Sequence, residues 1–160
     1  MPETLPPARL AALLASARSL QQAAAAGALP QPLRGLNLGL LCEDSAADPA
    51  SGAGLLRHAA LALGAQVALV RPSQWQTGRP EDLQPTLRLL GRIYEALACE
   101  GLPAGLVQQI RSHAGVPVCQ DLASSEHPVH TLAGQLEGGP SSEADRRCCL
   151  LQALLLDALR

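Results

Sequence analysis

The sequence predicts an α/β fold: a three-layer sandwich with a four-stranded parallel sheet, helices on both faces and a closing C-terminal helix. Two patterns carry this expectation. Four short apolar runs, Leu36–Cys42, Gln66–Val70, Ala96–Cys99 and Val116–Cys119, are separated from one another by segments of helical periodicity. Strands that alternate with helices argue for a parallel sheet covered on both sides, and runs apolar throughout suit strands buried on both faces. Length is the third observation: 160 residues suit one domain and can bury roughly 70% of the unfolded surface.

The elements follow in order. Pro6-Pro7 lead into a helix over Ala8–Ala26, where Leu10, Leu13, Leu14, Ala17 and Leu20 form one apolar stripe. Gly27 stops it, and Pro30 and Pro32 follow. The first strand, Leu36–Cys42, runs into a turn-rich stretch over Glu43–Gly54. A helix over Leu55–Leu63 ends at Gly64, and the second strand is Gln66–Val70. Arg71–Arg79 reads as a polar loop. Leu83–Tyr94 reads as a helix with Leu87, Leu90 and Ile93 on one side and Pro85 at an early position. The third strand, a helix over Pro103–His113 closed by Gly115, and the fourth strand complete the repeat. His127–Leu136 is expected to be helical. Residues 1–136 would form the core of a single domain spanning 1–160, 137–142 a flexible link, and 143–160 a Leu-rich helix. The apolar surface of that helix is wide enough to require packing against the domain or a partner.

Composition excludes several classes. A formal charge of -2 removes the electrostatic reason to expect nucleic acid. At 48% hydrophobic and 16% charged, the chain is too apolar for disorder and too interrupted by charge for a membrane span. All 12 basic residues are Arg, which a genome rich in G and C explains more simply than chemistry does. Five Cys, an odd number in a chain that is not short, do not suggest a disulfide framework and point to a reducing cytoplasm. Ala23–Ala26 resembles a signal-peptidase site, but Glu3, Arg9 and Arg18 break up the segment before it. In such folds, ligands bind outside the carboxyl ends of the strands, here Cys42–Asp44, Val70–Ser73, Cys99–Gly101 and Cys119–Leu122.

These residues carry a resemblance. A phrase like L-x-G-K-T-L-A-L-L-F-E is matched by Leu33-Arg34-Gly35-Leu36-Asn37-Leu38-Gly39-Leu40-Leu41-Cys42-Glu43. L-G-G/A-Q is matched by Leu63-Gly64-Ala65-Gln66, and S-Q-L-G-R-G-E by Trp75-Gln76-Thr77-Gly78-Arg79-Pro80-Glu81. D-T-x-R-V-L-S-R corresponds to Thr86-Leu87-Arg88-Leu89-Leu90-Gly91-Arg92. H-A-S-V-P-V-I-N-G-L-S followed by H-P-C-Q corresponds to His113–Ala123 and then His127-Pro128-Val129-His130. Taken in this order over Leu5 to Leu136, the chain resembles the N-terminal carbamoyl-phosphate-binding domain of the ornithine and aspartate carbamoyltransferases. Family members have a second, amino-acid-binding domain and a final helix that returns to the first domain. Ala144-Asp145-Arg146-Arg147-Cys148-Cys149 resembles the start of that helix, as if a short link replaced the second domain.

The resemblance implies contacts and losses. His127 matches a His that bonds the carbamoyl oxygen, Gln76 a residue that reaches a neighbouring subunit's site, and Arg146 an Arg near the final helix. His130 stands at the last position of H-P-C-Q. Each has a plainer reading: His127 opens a helix before Pro128, Gln76 is a solvated loop residue, and Arg146 is an exposed charge. The family's phosphate grip, S-T-R-T-R, falls within Ser45–Gly54, which holds no Arg and contains Asp48. There, backbone N–H groups and Arg forks would hold a dianion. A second Arg, in a phrase like I-R-T, falls at Glu100, a charge reversal that opposes an anion.

Cys42, Cys99 and Cys119 end three predicted strands. With His127 or His130 they would suit zinc or a thiolate nucleophile if they converged, but single Cys is ordinarily a small buried hydrophobe. No metal or other cofactor is expected, since no Gly-rich phosphate loop, Ser-His-Asp order or zincin motif is present. Three functions follow. The first is a non-catalytic binding or assembly module, as a homotrimer or with a full-length carbamoyltransferase. The second is a carbamoyl-phosphate-binding half completed by a partner chain. The third is a crevice for a neutral or cationic ligand, given Asp44, Asp48 and Glu100. Neither nucleic acid nor membrane is an expected partner.

Overall fold

A computed structural model describes residues 5–43, 51–74, 80–124, 127, 130, 132, 135–136 and 142–159, with 74 and 80–82 described by backbone alone. The helices are α1 (Pro7–Ala25), α2 (Gly52–Ala62), α3 (Pro80–Ile93), α4 (Ala104–Ala114) and α5 (Glu143–Ala158). The strands are β1 (Asn37–Leu41), β2 (Gln66–Val70), β3 (Ala96–Cys99) and β4 (Val118–Gln120). A short 3-10 turn, Pro72–Gln74, follows β2. All pairings are parallel, in the order β2-β1-β3-β4.

The chain leaves β1 toward β2 on one side and then returns to place β3 on the other. The order therefore reverses at β1 and β3, where doubly wound sheets open a crevice beyond their carboxyl ends. Side chains alternate between faces along each strand. Leu38, Leu40, Ala96 and Ala98 face a core shared with α1, α2 and α5, whereas Leu41, Leu97 and Cys99 face one shared with α3 and α4. The three-layer architecture expected from the alternating pattern is the one observed.

Local chemistry accounts for the ends of the elements. Ser51 caps α2, its hydroxyl accepting from Gly54 N at 2.9 Å. Gly115, at φ 71, closes α4 in the left-handed conformation that glycine adopts without strain. Ser142 and Asp145 form a reciprocal capping box at the start of α5. Along α5, Leu150, Leu151, Leu154 and Leu155 are buried and the helix packs on α1 and α2, which explains the breadth of its apolar surface. Arg9 of α1 also meets Asp157 of α5 at 2.6 Å.

Several expectations need correction. The fourth strand starts at Val118, since Pro117 has no N–H for the ladder and contributes only its carbonyl, to Leu97 N at 2.9 Å. The third helix starts at Pro80, which leaves Pro85 inside it and without a bond to the preceding turn. Ile93 is 53% exposed, because the inward stripe runs Leu83, Leu87, Leu90, Tyr94 and leaves position 93 on the flank. The helix expected over His127–Leu136 is not α-helical at its described residues; His130, Leu132, Gln135 and Leu136 lie in 3-10 turns. Bonds from Ser124 N to Asp121 O, His127 N to Ser124 O and His130 N to His127 O step three residues at a time.

Candidate functional site

The candidate site lies at the carboxyl ends of β1, β3 and β4, the side on which sheets of this order bind ligands. It is framed by short polar segments that follow apolar strands directly. After β1, Glu43 accepts from Ser73 N at 2.7 Å and Ser73 Oγ at 2.8 Å, tying the loop after β2 to the loop after β1. After β3, Glu100 Oε1 accepts from Ala123 N at 3.2 Å. Asp121, which takes a positive φ of 49, accepts from Gly101 N at 2.8 Å. Gly52, the first residue of α2, packs beside both loops: a β-carbon there would lie 3.5 Å from Ala123 Cβ and 3.8 Å from Glu100 Oε2.

The electrostatics follow from burial. Glu100 is pushed up to about 7, chiefly by loss of hydration, with Asp121 adding to the shift and backbone N–H groups of Ala123 and Leu122 opposing it. It is therefore only partly ionised near neutral pH. A group that is negative when ionised, beside the carboxylate of Asp121, disfavours a second anion at this position.

The histidines meet. The His127 and His130 rings lie edge to face with centroids 6.1 Å apart. His130 Nε2 is 2.8 Å from Leu122 O; a carbonyl can only accept, so Nε2 carries the proton. Burial lowers the His130 pKa, with Leu122 O opposing and Arg147 assisting the shift. The ring is thus neutral at physiological pH, and Nδ1 is a buried acceptor with no partner among the described residues.

Of the residues expected at a site, His127 and His130 are brought together. Gln76 lies outside the described residues, as do Asp44 and Asp48. Arg146 is half-buried near the start of α5. Its neighbour Arg147, which sequence reasoning passed over, reaches the crevice by donating from Nη2 to Ala123 O at 3.4 Å. Asp121 was missed as well; its position just after a strand was the available signal.

The cysteines do not converge. Cys42 and Cys119 belong to the core beneath α1, α2 and α5, and Cys99 to the core beneath α3 and α4. Burial pushes the Cys99 thiol up to about 12, with Cys119 adding to it, and burial pushes Cys119 up to about 11. Thiols held this far above neutrality are poor nucleophiles. Among the described residues, no group of three or more His, Cys, Asp and Glu is placed to hold a metal ion. No described helix is long and apolar enough to cross a membrane.

No family model matches the chain. Comparison with curated proteins is more informative. The chain is 35% identical over 124 residues to ornithine carbamoyltransferase of Haemophilus influenzae (strain PittGG), and 34% identical over 124 residues to that of Actinobacillus pleuropneumoniae serotype 5b (strain L20). Each alignment takes in 78% of this chain and 36% of the relative, so the chain spans little more than a third of the proteins it matches. Among solved structures, ornithine carbamoyltransferase from Pyrococcus furiosus superposes with a TM-score of 0.63 at 20% identity, over 80% of this chain and 40% of that one. The catalytic subunit of M. jannaschii aspartate transcarbamoylase superposes with a TM-score of 0.62 at 17% identity, over 82% of this chain and 42% of that one. At those identities the superpositions speak to fold alone. By sequence the chain is similar to ornithine carbamoyltransferases over a little more than a third of their length, and its fold is that of the corresponding part of solved ornithine and aspartate carbamoyltransferases.

Proposed function

We propose that the chain is a carbamoyltransferase-like binding or assembly module without catalytic activity of its own. The observation that carries this reading is the charge of the crevice. Glu100 and Asp121 flank the carboxyl ends of β3 and β4, and Glu43 follows β1. The stretch Ser45–Gly54 contains no Arg. A dianion needs cationic forks as well as backbone N–H groups to be held tightly, and neighbouring carboxylates oppose it. In assembly the module would form a homotrimer or join a full-length carbamoyltransferase, in keeping with the family resemblance.

A second reading is favoured by the paired His127 and His130 with Arg147 nearby. In it, the chain is a carbamoyl-phosphate-binding half completed by a partner chain. Titration calorimetry with carbamoyl phosphate separates the two. The module reading expects no binding at millimolar ligand, and millimolar or tighter binding that disappears in His127→Ala overturns it in favour of the second. Light scattering tests assembly: a monomer that ignores a full-length carbamoyltransferase would sink the module idea.

A further inference from the structure

β2 stands at one edge of the sheet, in the order β2-β1-β3-β4. Sheet edges are usually guarded by charge, proline, a bulge or brevity, because their free N–H and C=O groups pair with other strands. The opposite edge, β4, is three residues long. β2 has five, Gln66-Val67-Ala68-Leu69-Val70, with no charge, proline or glycine among them. Its Leu69 is 43% exposed, whereas β1 and β3 are buried almost throughout. Among the described residues, the other exposed large apolar side chains are Leu61 of α2, which leads into β2, and Leu89 and Ile93 of α3, which follows it. Leu89 and Ile93 each stand two positions, about 200° of helix rotation, from Gly91, which meets the end of α4. They therefore lie on the flank of α3 turned away from α4.

The open side of β2 is self-complementary. Gln66 N donates to Leu36 O at 2.8 Å and Val70 O accepts from Cys42 N at 3.2 Å, so residues 66 and 70 turn their backbone groups to β1. Backbone groups alternate sides along a strand. Ala68 therefore also faces β1, while Val67 and Leu69 present their N–H and C=O groups outward. These two residues stand symmetrically about Ala68. An antiparallel copy centred on Ala68 sets Val67 opposite Leu69 of the second copy and Leu69 opposite its Val67, each pair exchanging two N–H···O bonds. From this register we propose that β2 joins a second copy of this chain by antiparallel pairing about Ala68, extending the sheet from four strands to eight.

The side chains suit the same axis. Val67 packs with the core beneath α1, α2 and α5, and Leu69 shares its face of the strand. The pairing therefore makes two apolar Val67–Leu69 contacts, the kind of cross-strand pair that stabilises sheets. Ala68 lies on the other face, where its small methyl group meets its own copy at a non-hydrogen-bonded position with Cα atoms about 4.5 Å apart. No charge within β2 is set against its like. The exposed parts of Leu61, Leu69, Leu89 and Ile93 amount to roughly 400 Å² of apolar surface, the size that marks an interaction site. The strand edge adds to this, toward the ~800 Å² per partner of a specific interface. An isologous contact closes after two copies. It is distinct from the threefold assembly named above and does not depend on what the crevice binds.

Light scattering on the full chain should give twice the 16.6 kDa of one copy, and Leu69→Arg, a charge at an already exposed edge position, should halve that mass. Ala68→Cys sets the thiols of two copies across the axis within reach of a disulfide, so mild oxidation should give a covalent dimer linked at residue 68. Val70→Cys, which stands opposite Gln66 rather than its own copy, should not link. A monomeric or trimeric parent overturns the proposal, as does a dimer that persists in Leu69→Arg or does not link through Ala68→Cys. Should Leu69→Arg not fold, the contrast between Ala68→Cys and Val70→Cys decides, and equal linking in the two overturns the pairing. A trimer would remove this contact while leaving the module reading intact.

Discussion

Glu100 shows how far one residue's surroundings can move its chemistry. As a charged side chain one position beyond a buried strand, it was legible in the sequence as a reversal of the charge an anion site needs. Its raised pKa was not, because the burial and the Asp121 carboxylate responsible come from a loop 20 residues away. The shift has a thermodynamic consequence. Below the ordinary value of 4.5 the group is protonated in both the folded and the unfolded chain; between 4.5 and about 7 only the unfolded chain ionises. Stability from Glu100 is therefore fully present at low pH and is lost as pH rises through about 7. Glu100→Gln should leave stability at pH 4 little changed and raise it at pH 8 by about 2 kcal/mol, measured by urea unfolding at the two values. Asp121 and Arg147 drew little notice in the sequence for the same reason: each acts through a backbone group that folding brings near.

At the scale of elements, α3 meets the end of α4 at Gly91, where a β-carbon would collide with the Ala114 carbonyl. Ala is intrinsically the better helix former by about 1 kcal/mol, but the obstacle is backbone and cannot swing aside. Gly91→Ala should therefore destabilise by about 2 kcal/mol, seen as a lower urea midpoint at unchanged slope. Helical and strand periodicities located the elements from sequence, because α1 and β3 depend on local pattern and burial alone. The reading faltered where other rules intervened. Pro117 trimmed β4, a helix start at Pro80 placed Pro85 within α3, and the described residues of the helix expected over 127–136 are not α-helical.

For the whole molecule, the return of α5 onto α1 and α2 closes one of the two cores. Leu151 is fully buried there, and Leu151→Ala should cost about 3 kcal/mol through lost transfer energy and the cavity left behind. Thermal unfolding followed by circular dichroism would register it as a lower midpoint. The sequence by itself determined that four parallel strands alternate with helices, that the last helix must be covered, and that no Arg stands in the loop after β1. These depend on periodicity and residue chemistry, which are local. Only the tertiary structure decided that Cys42 and Cys119 face away from Cys99, that His127 meets His130, and that Glu100 and Asp121 cross-link two loops. Those outcomes depend on strand order, on which face each residue presents, and on contacts between segments far apart in the chain, and no local pattern encodes them.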